Sequence, residues 1–287
     1  MTSYLAPLDG EMLVALAWAA PLSGPQLGRL VAPGLSARGV RRHLAGLSGA
    51  ELIAGRICAR MGPQGRPLRV GMVWTLTKAG LAQVPLDRQP PLPAKVRWSL
   101  LEHDLRAGDV LSALVGAVRP QLSGLAIERE VRLDPEKARP ICDAVITLRW
   151  SADGGMGGAL PWHTGAGRAE ERMTAYAVEV DRSTEPIKTL RDKALAYRRI
   201  REDPTWFQRF GKLPLPLWVA PDRARLKAIH AAWVAAWPAG RWYLTTDADL
   251  PTLAALAWRD GALGRATLAG TSASGGPQPG TSRSTAP

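Results

Sequence analysis

Three carboxylates stand where strands are usually apolar. Asp143 follows Pro140-Ile-Cys and precedes Ala144-Val-Ile, and Glu179 and Asp181 interrupt the run Ala177-Val-Glu-Val-Asp. Residues i and i+2 of a strand face the same side, so Glu179 and Asp181 are expected to project together from one strand end. With Asp143 on the neighbouring strand, three carboxylates would converge. Such a cluster repels itself unless a cation intervenes, and carboxylates that leave water positions open suit Mg²⁺. A Mg²⁺ held there orients a phosphodiester and helps to form a hydroxide nucleophile. Asp143, Glu179 and Asp181 are therefore the candidate metal ligands. The structural alternative is a charged strand end paired to Arg182, Lys193 or Arg198. His103, beside Asp104 at a helix start, either touches this site or bonds within the fold.

The elements that must position these groups follow from periodicity. Trp98–Val118 reads as a long amphipathic helix, with Leu101, Leu105, Val110, Leu111, Leu114 and Val115 apolar. Strands are expected at Ala126–Leu133, Pro140–Trp150 and Thr174–Asp181, with a Gly-rich loop, Ser151–Glu171, between the last two. A helix over about Glu185–Arg201, a strand Leu213–Ala220, a helix Asp222–Trp237 and a strand Trp242–Thr245 complete the pattern. A short helix near Leu250–Trp258 is expected to close it. The tryptophans of this half sit at helical and strand positions and read as core.

Ahead of this lies a different pattern. Asp9 is placed to cap a helix carrying Met12, Leu13, Leu16 and Ala17 on one face. Ser23 or Gly24 starts a second short helix. Ser36 starts a third, with Val40, Leu44 and Leu47 inward and Arg38, Arg41, Arg42 and His43 opposite. Two strand-like pieces, Glu51–Arg60 and Leu68–Leu76, flank a basic Gly/Pro tip. Three helices followed by a two-stranded ribbon is the layout of a winged helix-turn-helix. In that geometry the third helix enters the major groove of duplex DNA and the tip reaches a neighbouring phosphate or minor groove. The expected contacts are Ser36, Arg38, Arg41, Arg42 and His43 on the helix, and Arg60, Arg66 and Arg69 at the tip.

The charge agrees. The chain carries 37 Lys+Arg against 25 Asp+Glu, a net +12. Residues 1–97 hold 12 basic and 4 acidic side chains, so the first third is the better polyanion surface. Two cysteines, Cys58 and Cys142, exclude a disulfide framework and the usual four-ligand zinc ribbon. The start lacks a signal-peptide pattern, and the apolar run Met12–Leu22 is too short to cross a bilayer. A cytoplasmic protein with no membrane partner is expected. His163 and His230 read as solvated surface.

The domain boundaries follow: a winged helix over 1–84, a Pro-rich linker over 85–97, an α/β domain over 98–266, and a disordered Gly/Ser/Thr/Pro tail over 267–287. The fold class is α/β (α+β), in two domains.

Helix, three strands with Pro-x-x-Asp on the second and Glu on the third, then helix and strand, resembles the PD-(D/E)XK nuclease-like core. Closer still, Glu102-His-Asp-Leu-Arg, Cys142-Asp-Ala-Val and Val178-Glu-Val-Asp-Arg-Ser-Thr-Glu with Lys193 and Tyr197 resemble segments of the bacterial replication-relaxation family. The resemblance spans roughly residues 8–245. It implies a DNA-binding protein of a plasmid or mobile element, acting in replication or DNA relaxation, with Asp143, Glu179, Asp181 and Lys193 as site residues and Mg²⁺ as cofactor. A homodimer, or replication and transfer proteins, would be its further partners. One departure bears on cleavage. The nuclease pattern places Lys two residues after the Glu, and Asp181 stands there instead. Lys188 or Lys193 would then have to reach back from the following helix. Two alternatives stay open: a winged-helix transcriptional or copy-number regulator with an inactive nuclease-like domain, and an active Mg²⁺-dependent endonuclease or nickase.

Overall fold

The structure is a computed structural model that describes residues 5–61, 67–90, 100–133, 141–150, 172–205, 213–259 and 261–268, with the side chains of 59–61, 67–70, 141, 172, 258 and 259 outside the description. The Gly-rich segment 151–171, with His163, and the tail beyond Leu268 lie outside the described residues.

The first unit is built from α1 (Pro7–Ala19), β1 (Leu22–Ser23), α2 (Gly24–Val31), α3 (Ala37–Gly49), β2 (Ile53–Met61), β3 (Pro67–Leu76) and α4 (Lys78–Gln83). Ser23 caps α2 through a reciprocal capping box with Gln26, and Ser36 caps α3 by accepting from the Gly39 N–H. The Ser36 cap closes the turn that joins α2 to α3. β2 and β3 form an antiparallel hairpin, and β1 adds a two-residue rung to β3. Helices followed by a hairpin give the winged helix-turn-helix arrangement.

α1 departs from expectation. Its first residue is Pro7, Ala6 occupies the cap position, and Asp9 lies inside the first turn. Every residue from Glu11 to Ala19 is buried, so the helix beyond its first turn has no solvent face. A helix apolar all round belongs in an interior, and α1 is in one. It packs within the winged helix and also against the large sheet.

That sheet comprises β4 (Leu122–Arg132), β5 (Ile141–Trp150), β6 (Arg172–Val180), β7 (Leu215–Ala220), β8 (Trp242–Thr246), β9 (Ala254–Arg259) and β10 (Ala262–Thr267), in the spatial order β10-β9-β8-β7-β6-β5-β4. β6, β7 and β8 run parallel, and the remaining neighbours are antiparallel. The parallel strands are joined through α6 (Ile187–Glu202) and α7 (Arg223–Ala236), as parallel pairs require. The helix expected near Leu250–Trp258 is instead a 3-10 turn, Leu250–Thr252, followed by β9 and β10. The 254–259 stretch gains a full ladder by pairing with β8 and β10, which outweighs its Ala-rich helix propensity.

Alternation along the strands sorts the core into two layers. Tyr176, Val178, Ile146 and Leu148 face α5 (Leu101–Val118) and the winged helix, in one cluster with α1, α2 and α3. Ala177, Val145 and Trp218 face α6 and α7, in a second cluster with Tyr197, Trp233, Trp237 and Trp242. The tryptophans of this layer are core, as their spacing suggested. His230 is half-buried with its ring 5.8 Å from Trp242, and is not the solvated surface residue expected.

The first layer passes without a break from the winged helix into the sheet. Gln26 donates to the Leu105 carbonyl at 2.6 Å, and Arg29 on α2 donates to Asp109 and Ser112 on α5. The Arg119 guanidinium holds the Leu30 carbonyl. Gly108 lets the two helices close up, since a Cβ there would lie 3.1 Å from the Gln26 amide. The start of the Pro-rich stretch is pinned as well: Trp18 donates to the Arg88 carbonyl, and Arg88 reaches Glu11.

Candidate functional site

At the carboxyl end of β6 the chain turns toward α6 with three acidic groups nearby. Glu179 and Asp181 do share the α6/α7 side of the sheet, where Lys193 and Arg225 meet them, and Asp143 on β5 lies close enough to Glu179 for their charges to interact. Each carboxylate is met by its own protein donors. Asp143 Oδ1 accepts from His103 Nε2 at 2.7 Å, and its Oδ2 accepts the Val180 N–H at 2.6 Å. An ionised carboxylate only accepts, so His103 Nε2 carries the proton. Glu179 is fully buried; Oε2 takes the Lys193 ammonium at 2.9 Å and Oε1 the Tyr197 hydroxyl at 2.9 Å. Asp181, 1% exposed, is held in a two-pronged pair by Arg225, at 2.6 and 2.9 Å, and accepts the Ser183 N–H. Bidentate guanidinium–carboxylate pairs are among the stronger ionic contacts.

The electrostatics follow from this pairing. Burial raises Glu179 to about 7, against the lowering pull of Lys193, with the nearby Asp143 charge adding to the rise. Burial would also raise Asp143, but the His103 bond and charge, the Val180 N–H and Lys193 outweigh it and hold that carboxyl below its ordinary value. Burial would lower Lys193, yet Glu179 and Glu185 hold it well above the usual lysine range. Its ammonium also lies 5.0 Å over the Trp218 ring, a cation–π distance. Burial next to Glu179 pushes the Tyr197 hydroxyl up, so it remains a donor.

Of the two lysines on α6, Lys193 reaches back to the strand and Lys188 is exposed. The cation on Asp181 is Arg225, a residue outside the expected set, while Arg182 pairs with Glu102 and Arg198 with Glu202. All six oxygens of the three carboxylates thus face protein donors. Among the described residues no group of three or more His, Cys, Asp or Glu side chains is placed to hold a metal ion. The donor set in this arrangement does not fit Mg²⁺, which needs carboxylate oxygens turned to a common point.

The second candidate surface is the outer face of α3. Arg38, Arg41 and Arg42 are exposed at i, i+3 and i+4 spacing, and Ser36 is exposed at the cap. No described acidic side chain pairs with these three arginines, whereas Arg29 and Arg88 of the same unit are both in ion pairs. His43 differs from expectation. It is half-buried and bonds Asp9 of α1 at 2.7 Å, so it ties two helices together and is not part of the open face. Its side of the helix turns inward toward α1, and the sequence signal was an acid inside the first helical turn. Arg60 and Arg69 sit opposite one another in the hairpin. Their side chains, and Arg66 entirely, lie outside the described residues.

A model of the replication-relaxation family matches residues 13–215. The chain belongs to the replication-relaxation family. The match begins inside α1 and ends where β7 starts, so it takes in the winged helix, α5, the acidic strand end and α6 together. No curated protein matches. Membership supports a replication-related role of the kind plasmids and mobile elements carry. Among the described residues no helix is long and apolar enough to cross a membrane.

Proposed function

We propose that this replication-relaxation protein binds duplex DNA of a plasmid or mobile element through α3 and the β2–β3 wing, with the α/β half as a rigid support. The observation that carries this reading is the α3 face: three exposed arginines at helical spacing with no described acidic partner, on a winged helix whose remaining described arginines include paired ones. Three exposed guanidinium groups on one face of the third helix of a winged helix suit contact with phosphates and base edges in a major groove. The opposite side of α3, Val40, Leu44 and Leu47, is fully committed to the core.

The test is fluorescence anisotropy of a labelled duplex across a salt series. Each phosphate contact adds roughly 0.9 to the slope of log affinity against log salt. Replacing Arg41 and Arg42 by Ala should make the slope shallower by about 2 and weaken binding at least about tenfold. Unchanged affinity and slope would remove α3 from the interface.

For the acidic strand end, we favour a closed ionic network over a cleavage site, because the six carboxylate oxygens are already engaged by His103, Val180, Lys193, Tyr197, Arg225 and Ser183. Supercoiled plasmid incubated with the protein and Mn²⁺ should stay supercoiled. Nicked product that disappears with Asp143→Asn would restore the metal-dependent nickase.

A further inference from the structure

The α6/α7 side of the sheet carries charge that neither the ionic network nor α3 uses. Each helix turns one side inward, with Leu190, Ala194, Tyr197 and Ile200 on α6 and Leu226, Ile229 and Trp233 on α7. The helical period then puts Lys188, Arg191 and Arg199 on the outward side of α6 and Lys227 on the outward side of α7. All four are exposed. None of them enters an ion pair among the described residues, whereas Lys193 and Arg225 of the same helices turn inward to Glu179 and Asp181. Acids are fewer on this surface. α6 contributes Asp192 and Glu202, and α7 contributes none. Glu202 is matched by Arg198, and Asp222 is occupied as the cap of α7.

The placement of this charge works against the helices that carry it. Lys188 is second in α6 and Arg223 first in α7, with no acid in either first turn. A helix start is already positive through its dipole and favours acids, so cations there oppose helix stability. α3 shows the same pattern, with Arg38 second in the helix and no acid in its first turn. The shape of the face selects the class of partner. From Lys188 to Arg199 the line of charge runs about 16 Å along α6, and Lys227 stands on the helix packed against it. A line of that length follows a charged rod better than a compact anion. A protein partner would need apolar anchors. Among the described residues of the two helices, Ile187, 40% exposed, is the one large hydrophobic residue left in solvent. Duplex DNA, with one charge per about 1.7 Å of its axis, fits such a face.

We propose that the outward face of α6 and α7 is a second duplex-binding surface, so that one molecule holds two DNA segments, one against α3 and one against α6/α7. The inference rests on the DNA-binding reading of α3 given above. The winged helix and α5 cover one side of the sheet, and α6 and α7 cover the other. A duplex of about 25 bp is far shorter than the roughly 150 bp of one persistence length, so it does not wrap from one side to the other. Two surfaces on opposite sides therefore take two segments.

The number of duplexes bound per chain reads this directly. Sedimentation of the full-length protein with a labelled duplex of about 25 bp at low salt should count two per chain. Lys188→Glu/Arg191→Glu/Arg199→Glu changes exposed positions alone, so it should count one per chain without loss of thermal stability. Arg41→Ala/Arg42→Ala should weaken one of the two sites and leave the other. Beads carrying an unlabelled duplex should capture the labelled one through the parent protein, and at least about tenfold less through the charge-reversed variant. Asp192→Lys adds a cation to the line, so it should tighten the second site and steepen its salt slope by about 1. Fewer than two duplexes per chain in the parent, or two in the charge-reversed variant, overturns the second surface and leaves the α3 reading standing. Parent protein that binds no DNA overturns both. Loss of all binding in the charge-reversed variant, with Arg41→Ala/Arg42→Ala binding as the parent does, would move the DNA surface from α3 to α6/α7 and overturn the two-segment inference along with the α3 reading.

Discussion

Replacing Lys193 by Met should destabilise the protein by an amount that grows with pH, and the geometry gives the numbers. Glu179 is fully buried and is raised from an ordinary value of 4.5 to about 7 with Lys193 in place. The raised value means that the folded state binds a proton the unfolded chain releases. Its contribution is therefore full below the unfolded value and is lost as pH rises through 7. Without Lys193 the carboxyl stays neutral to higher pH, since its strongest lowering influence is gone. Below pH 7 Glu179 is protonated in both folded proteins, so the variant loses only the contacts of the ammonium and its stem, about 1 kcal/mol. Above pH 7 the parent ionises and the variant does not, and the gap widens by about 1.4 kcal/mol per pH unit. The expected loss is about 1 kcal/mol at pH 6, about 2.5 at pH 8 and about 4 at pH 9. Lys193 is raised and stays charged throughout this window. Urea titrations followed by tryptophan fluorescence suit the measurement, because Trp218 lies under the ammonium. Lys193→Met/Glu179→Gln has no carboxyl to titrate at this position, so its own stability should stay flat from pH 6 to 9. A single-variant loss that is flat from pH 6 to 9 would refute the buried-pair reasoning.

Two further outcomes follow from the same structure. Arg225→Met leaves the Asp181 side chain, 0% exposed, with only the Ser183 N–H; a loss of about 3 kcal/mol or more is expected by thermal melting, with Arg225→Met/Asp181→Asn recovering most of it. A fragment ending at residue 90 should fail to give a dispersed amide NMR spectrum, because α1 and α2 would lose the α5 and β4 faces that bury them; a well-dispersed spectrum would show that the shared layer is not needed.

Much of this fold is legible in the sequence because periodicity reports burial directly. The alternation at Ala126–Leu133, the apolar run after Asp143 and the stripe on α3 correspond to the elements found, with ends shifted by a few residues. What was hidden depends on distant partners. Arg225 is 44 residues from Asp181, and nothing local marks it as the cation for that strand end. The Ala-rich stretch 254–259 has helical propensity but sits beside a free sheet edge. Its signal was the Asp260-Gly261 dipeptide, a hairpin turn pair, with Gly261 at φ 82°. The continuous core was also readable: apolar residues from Met12 to Ala19 cover every face of a helix, which one small unit cannot bury alone. For the site, the acidic residues and Lys193 were legible as types, but only geometry shows that each carboxylate already has its own donors.

The pinning of α2 onto α5 bears on how such proteins can be rebuilt. Gln26 and Arg29 read α5 as a partner would, through Leu105, Asp109 and Ser112 and the notch at Gly108. A foreign winged helix grafted ahead of Pro85 would meet a surface shaped for these two side chains and for an α1 buried from Glu11 to Ala19. If α3 binds DNA as proposed, new specificity is better introduced on its outer face alone, where the side chains change and the seam does not. The same seam ties α2 to α5 and, through the shared core layer, to the sheet, so a change at the seam is felt on both sides of it.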